Sequence, residues 1–133
     1  MSERFLRAVR RLGLQYPLKI RYNTRMKLLT DEIKAALPPL YTTEGLDASE
    51  RKIICKFFNP VGAATWYICE GHKQPDGDWL MFGLCDLGLG EPEWGYVTLN
   101  ELESLTLPLG LGIERDIFFS INTPCSEVME FVI

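Results

Sequence analysis

Carboxylates that recur two positions apart are the residues of this chain whose types and spacing could support chemistry. Glu91 and Glu93 form one such pair, and Glu114 and Asp116 form the other, with Arg115 between the last two. Residues i and i+2 of a β-strand share a face, so the carboxylates of a pair would lie side by side. Acid–base catalysis would require that the pKa of one of them be raised. Exposed acidic pairs are common on protein surfaces, and the sequence favours that interpretation.

Arg115 lies in an apolar segment, 114–121, that we interpret as the last strand of the fold. On a strand, Arg115 would share a face with Ile117 and would point with the core residues. A buried guanidinium is costly unless a carboxylate binds it, ideally through two hydrogen bonds. Glu70, at the end of a predicted strand, and Glu44, in a predicted loop, are the candidate partners. We therefore expect a structural ion pair, with an exposed binding patch and a catalytic cluster as the alternatives.

The other chemical signals are weak. His72 is the only histidine and falls in a predicted hairpin loop. The four cysteines are too widely spaced for a zinc site, and three lie in strand-like apolar segments, so we expect reduced core thiols. No phosphate-binding glycine motif and no apolar run of membrane-spanning length occurs. We expect no metal, no cofactor, no membrane association and a cytoplasmic location.

Charge divides the chain into two parts. Residues 1–36 carry nine Lys/Arg and three Asp/Glu, a net of +6, whereas residues 37–133 carry five and fifteen, a net of −10. The basic part could bind nucleic acid through phosphate contacts, or it could be a solvated helix and linker. The acidic part either keeps the domain soluble or docks on a basic partner. The arginines that would carry nucleic-acid binding are Arg4, Arg7, Arg10 and Arg11.

The pattern of apolar residues predicts an α+β fold. Thr30 is expected to cap a helix that ends before Pro38. Four strands are expected at 52–58, 65–71, 79–87 and 94–97, and Thr98 with Glu101 has the spacing of a helix capping box. The segment 126–133 fits a strand or a helical turn. We predict a curved antiparallel sheet, a meander of four to five strands with helices packed on one side. Residues 1–29 would be a basic N-terminal extension, and 30–133 one domain.

Several segments of the chain, taken in order, resemble an uncharacterised domain family, domain of unknown function 2958. They are LTDEIKAALPPLYTTEG, KFFNP, TWYICEG, EPEWGYVTLNELE and LPLGLGIERDIFF. The resemblance implies a setting on plasmids and phages and within the polyvalent proteins that such elements inject, beside antirestriction modules. It implies no mechanism. The charged residues that match the family's segments, beyond Glu101, are Glu44, Glu70, Glu93, Glu114, Arg115 and Asp116.

Three functional hypotheses follow. The first is a non-enzymatic protein-interaction module of a mobile element, which counteracts host defence of the restriction or CRISPR type through an acidic surface. That surface would include Glu91 and the charged residues that match the family. The second is a small enzyme that uses the Glu114, Arg115 and Asp116 cluster with Glu70 or Glu93. The third is nucleic-acid binding by residues 1–25. The oligomeric state stays open.

Overall fold

From residue 26 to residue 132, the fold consists of a five-stranded antiparallel sheet, a two-stranded sheet and three short helices. The computed structural model describes residues 7, 11 and 26–132. The elements in chain order are α1 (Asp31–Ala36), β1 (Lys52–Ile53), β2 (Cys55–Phe58), β3 (Thr65–Lys73), β4 (Trp79–Asp86), β5 (Glu93–Thr98), α2 (Leu99–Glu103), β6 (Glu114–Arg115), β7 (Thr123–Pro124) and α3 (Cys125–Val132). Single 3-10 turns lie at Ala48–Glu50 and Pro108–Gly110.

The main sheet has five antiparallel strands in the order β5-β4-β3-β2-β6. Strands β2 to β5 pair in chain order, so the predicted meander and the α+β class are confirmed. β1 and β7 form a separate two-stranded sheet, in which Ile53 pairs with Thr123. The predicted strand 52–58 is therefore divided at Ile54, between the two sheets.

The predicted last strand, 114–121, is wrong beyond Arg115. The amide of Asp116 still donates to the Lys56 carbonyl, at 2.9 Å. The Asp116 carboxylate then accepts from the Phe118 amide at 2.9 Å, which makes a local turn in place of further ladder bonds. Ile117 and Phe118 are consequently exposed, at 63% and 90%.

The helix signals in the sequence are confirmed. The Thr30 hydroxyl accepts from the Ile33 amide at 3.2 Å and begins α1. At α2, the Thr98 hydroxyl accepts from the Glu101 amide and the Glu101 carboxylate accepts from the Thr98 amide, at 3.1 and 2.8 Å. This reciprocal capping box satisfies two amides that the helix itself cannot bond.

Each face of the sheet packs against its own apolar cluster. The first face carries Trp66 and Ile68 and packs against α1 and α2. Leu28 and Leu29, which the predicted boundary places in the extension, are buried in this first cluster. The second face carries Leu84 and Cys69. It packs against α3, the segment that fits a strand or a helical turn by sequence.

The cysteines are free thiols, and three of the four are buried. Burial raises the pKa of Cys55, Cys69 and Cys85 from the ordinary 9.0 to about 12. The nearby charge of Arg115 opposes the effect at Cys55. None of the described helices is long and apolar enough to span a membrane.

The raised pKa values of the buried thiols predict that they react slowly with thiol reagents. Because the thiolate is the nucleophile, at about pH 8 we expect Cys55, Cys69 and Cys85 to react with a thiol reagent at least about 100-fold more slowly than in denaturant. The reagent is one that releases a chromophore when it reacts with a thiol, and the reaction is followed as absorbance over time. Rapid reaction of more than one thiol in the folded chain would contradict the burial described.

Gly83 occupies a position in the sheet where no side chain fits. A Cβ there would lie 1.9 Å from the Tyr67 carbonyl oxygen, which belongs to backbone that the sheet fixes. We expect Gly83→Ala to lower the free energy of unfolding by about 3 kcal/mol or more. At Gly95, its partner on β5, an added Cβ would meet nothing within 4 Å. Gly95→Ala is the matched control and should change stability by about 0.5 kcal/mol or less, measured by urea unfolding.

Candidate functional site

A β-bulge in β3 changes the direction of one carboxylate. The register between β3 and β4 shifts between Ile68, which pairs with Gly83, and Glu70, which pairs with Phe82. Strict alternation would place Glu70 on the first face with Ile68. The extra residue, Cys69, moves Glu70 to the second face beside Phe82.

Glu70 is a buried carboxylate, 3% exposed, that binds the backbone of a loop. One oxygen accepts from the Tyr41 amide at 2.9 Å. The other accepts from the Thr43 amide at 2.7 Å and from the Thr43 hydroxyl. Three donors satisfy a charge whose burial would otherwise be costly, and they fix the loop after Pro39 on the second face.

The same loop holds Tyr41 in an unusual conformation. Its φ is 74°, in the left-handed region that residues other than Gly, Asn and Asp rarely adopt. The Tyr41 side chain is 62% exposed. The strain is tolerated because the hydrogen bonds to Glu70 determine the backbone on both sides of Thr42.

Aromatic rings on β4 and β5 lie next to Glu70 on the second face of the sheet. Glu70, Phe82 and Tyr96 are register partners on three adjacent strands, so they form one row. The Phe82 ring lies 4.9 Å from that of Tyr96 and stacks on that of Trp94 at 5.7 Å. Arg51 lies over Trp94 and Phe82, with its guanidinium carbon 4.6 and 5.2 Å from the ring centroids. We call the group Tyr41, Arg51, Phe82, Trp94 and Tyr96 the aromatic patch.

Contacts within the aromatic patch connect it to the Glu70 loop. Arg51 Nε donates to the Thr43 carbonyl at 3.4 Å. Desolvation raises the pKa of the Tyr96 phenol, and Tyr41 adds to the effect through its charge and a side-chain hydrogen bond. The carboxylates of Glu70 and Glu44 raise the Tyr96 pKa further, which places negative charge beside this phenol. Tyr96 is nevertheless 47% exposed.

Arg115 lies in a different part of the molecule, and its predicted ion pair with Glu70 or Glu44 is wrong. Its Nη1 donates to the carbonyls of Lys27 and Leu28, the latter at 3.2 Å. The segment before α1 therefore supplies the acceptors that the sequence interpretation assigned to a carboxylate. The reason is the edge position of β6, which places Arg115 beside incoming backbone, and its pairing with Phe57 on the first face, whereas Glu70 lies on the second face.

Two cavities flank Arg115, which we call together the Arg115 groove. One, of about 510 Å³, is lined by Lys56, Asn59, Glu114, Asp116 and Phe118 among others. The other, of about 430 Å³, lies between the start of α1 and the 116–121 segment. Lys56 and Asp116 form an ion pair across 3.6 Å in the first cavity. The concavity required by the enzyme hypothesis is present, but Glu70 and Glu93 line neither cavity.

The predicted site residues thus fall into separate groups. Glu114, Arg115 and Asp116 line the Arg115 groove. Glu70 and Glu44 belong to the surroundings of Tyr96, with Glu70 beneath the surface and Glu44 exposed. Glu91 and Glu93 are exposed at the start of β5. Arg7 and Arg11 are exposed, and Arg4 and Arg10 lie outside the described residues. His72 is in β3 and half-buried, not in a loop.

The sequence interpretation missed the aromatic patch. Its signals were present, since Trp94 and Tyr96 are two apart on a predicted strand and would share a face. Tyr41 follows the Pro pair in a loop, where an exposed aromatic residue has no packing role. Arg51 gave no signal, because its stacking on Trp94 joins residues that are distant in sequence.

The Glu70 contacts predict a large effect from a small change. In Glu70→Gln, an amide N–H₂ would face the backbone N–H of Tyr41 or Thr43, and the charge would be lost. We expect the free energy of unfolding to fall by about 2–3 kcal/mol in urea denaturation. Glu44→Gln, an exposed carboxylate of the same loop region, is the control and should cost about 0.5 kcal/mol or less. Equal effects of the two substitutions would show that the Glu70 bonds do not hold the loop.

Comparison with known proteins adds one match. A family model described as "Protein of unknown function (DUF2958)" matches residues 28–132. No curated protein and no solved structure matches the chain. The match begins at Leu28, the first core residue of the described fold, and includes both the aromatic patch and most of the Arg115 groove. The chain therefore belongs to the DUF2958 family, whose function is unknown.

Proposed function

We propose that this protein is a non-enzymatic interaction module that binds another protein through the aromatic patch. The observation that carries the proposal is the pair Tyr41 and Tyr96, exposed at 62% and 47% while their backbones are fixed. Tyr41 is held by the buried carboxylate of Glu70, and Tyr96 by the sheet. Tyr41 keeps a strained backbone although most of its side chain stays exposed, which supports a role in binding beyond its contact with Tyr96.

The composition of the aromatic patch matches that of energetically dominant residues in protein interfaces. Tyrosine, tryptophan and arginine contribute most to such interfaces, because they bury large areas at low entropic cost. Arg51 and Trp94 are already stacked before any partner arrives. A surface that is ordered in advance loses less entropy on binding, which raises affinity for a given buried area.

Charge supports a cationic partner surface. Glu44 lies close enough to Tyr96 to raise the pKa of its phenol. Residues 37–133 carry a net charge of −10, so the domain would attract a basic surface from a distance and raise the association rate. The acidic surface of the proposal is therefore the surroundings of the aromatic patch, of which Glu44 is an exposed member.

The arrangement of Glu70 argues against acid–base work at the aromatic patch. Both of its oxygens accept hydrogen bonds from the loop above, and the carboxylate is 3% exposed. A general base must reach the proton that it removes, and the loop occupies the space in which a substrate would lie.

The setting of the proposal comes from the family resemblance. A plasmid or phage protein carried beside antirestriction modules would act in the cytoplasm of the host. Its partner would be a host or element-encoded component of a nucleic-acid-handling defence complex. Proteins of that kind present basic surfaces, which agrees with the charge expected of the partner.

Loss of the two exposed rings tests the proposal. We expect the double variant Tyr41→Ala, Tyr96→Ala to bind its partner at least about 30-fold more weakly than the parent chain, because each ring is a candidate anchor. The partner is recovered by affinity capture from host lysate with the full chain, purified, and titrated against each variant. Phe118→Ala removes an exposed ring in the Arg115 groove and is the matched control.

The outcomes of this titration are distinguishable. Unchanged affinity of the double variant would exclude the aromatic patch. A loss with Phe118→Ala alone would move the binding site to the Arg115 groove. Binding that also survives high salt and reversal of the charge of Glu44 would exclude the electrostatic component.

The Arg115 groove supports a second candidate function, binding or turnover of a small molecule. The observation that favours it is the cavity of about 510 Å³ that holds the Lys56–Asp116 ion pair. Its volume falls within the range of small-molecule sites. Nucleic-acid binding through residues 1–25 is the remaining alternative, and a salt-dependent gel shift that disappears on deletion of those residues would support it.

A further inference from the structure

The strand β5 lies at one edge of the sheet, and the aromatic patch lies beside it. In the order β5-β4-β3-β2-β6, no described strand pairs with the outer side of β5. The opposite edge is only two residues long, because the turn at Asp116 ends it. β5 is six residues long and is the one long edge among the described strands.

Two independent observations show which backbone groups of β5 point outward. The Thr98 amide donates to the Glu101 carboxylate and so does not face β4. The Phe82 carbonyl accepts from the Cys69 thiol at 3.4 Å, so it faces β3 and not its partner Tyr96. Alternate residues of an antiparallel strand direct both backbone groups to the same side. The N–H and C=O groups of Trp94 and Tyr96 therefore point away from the sheet.

The central residues of this edge lack several features that normally prevent strand pairing, although Pro92 and the charged Glu93 stand at its start. Natural edges are blocked by proline, lysine, bulges or shortness. The run from Trp94 to Val97 contains no proline and no lysine, and its pairing with β4 shows no register shift. A Cβ added at Gly95 would meet nothing within 4 Å, so the face of the sheet beside this edge is free of described atoms at that position.

We propose that β5 accepts an extended, cationic segment of a partner protein as a sixth strand of the sheet. The segment would bond the outward groups of Trp94 and Tyr96. On the second face, its alternate side chains would contact the rings of Tyr96 and Tyr41. This proposal rests on the proposed function and specifies the form of the partner.

Charge decides between a partner segment and a second copy of the chain. Two copies joined at β5 would bring together two acidic regions, since residues 37–133 carry −10 in each copy although each whole chain carries −4. A segment rich in lysine or arginine would instead gain from the carboxylate of Glu44 beside Tyr96. The charge around β5 thus favours a basic, extended segment of a partner protein as the occupant.

The test begins with a display library of random peptides about 12 residues long, selected on the full chain. Selected peptides should alternate apolar and cationic residues. In the tightest of them, N-methylation at alternate positions should weaken binding about tenfold per position, because each removes one backbone hydrogen bond, whereas the intervening positions should tolerate it. Amide exchange measured by NMR should slow at Trp94 and Tyr96 and stay unchanged at Gly95 and Val97.

A pair of variants separates the backbone from the ring. Tyr96→Ala removes the ring, and Tyr96→Pro removes the ring and the outward N–H; proline is tolerated there because that N–H does not bond β4. Tyr96→Pro should bind the selected peptide about tenfold more weakly than Tyr96→Ala. If the proline variant is unfolded by circular dichroism, the methylation series on the parent chain decides.

Each remaining outcome of these experiments would overturn one named part of the proposal. Equal affinities of the two variants with no alternating methylation pattern would overturn strand addition and leave the aromatic patch as a side-chain site. Concentration-dependent dimers in sedimentation, disrupted by Tyr96→Pro, would overturn the partner segment in favour of a second copy. Failure to select any peptide, together with no effect of the Tyr41 and Tyr96 double variant on partner binding, would overturn this proposal and the proposed function.

Discussion

The hydrogen bonds between the Glu70 carboxylate and the amides of Tyr41 and Thr43 are the interaction on which the arrangement of the second face depends. A carboxylate at 3% exposure needs donors, and the bulge at Cys69 directs it to the face where the loop can supply them. The Thr43 carbonyl of this loop in turn accepts a hydrogen bond from the Arg51 side chain. One buried charge thus positions a tyrosine, an arginine and, through stacking, the rings of β4 and β5.

The two edges of the sheet differ in length and in what covers them, and local hydrogen bonds cause the difference. At β6, Asp116 captures the Phe118 amide and ends the strand after two residues. Arg115 then bonds the carbonyls of Lys27 and Leu28, so chain preceding α1 covers that edge. At β5, the capping box withdraws the Thr98 amide from pairing, but Trp94 and Tyr96 keep their outward groups. Among the described strands, the asymmetry leaves the outer side of β5 unpaired next to the aromatic patch.

Much of the fold could be predicted from the sequence, because the decisive signals were local. The capping box of Thr98 and Glu101 and the meander of alternating strands follow from spacing alone. The bulge at Cys69 could not be predicted, since one inserted residue leaves no mark on the apolar pattern of a strand that is buried on both faces. The prediction for Arg115 failed for the same kind of reason: its acceptors are backbone carbonyls, which every residue carries and no side-chain pattern reveals.

The bulge also explains why Glu70 lies apart from Arg115, with which the sequence interpretation grouped it. Counting by twos from Ile68 places Glu70 on the first face, where an internal ion pair with Arg115 is a reasonable expectation. With the bulge, Glu70 lies under Tyr41, whose positive φ costs on the order of 1–3 kcal/mol. Hydrogen bonds to a charged acceptor contribute about 1.5–3 kcal/mol each, enough to offset that strain. The fold can therefore hold an exposed ring in a fixed, unfavourable backbone conformation, which is the arrangement that the proposed binding role requires.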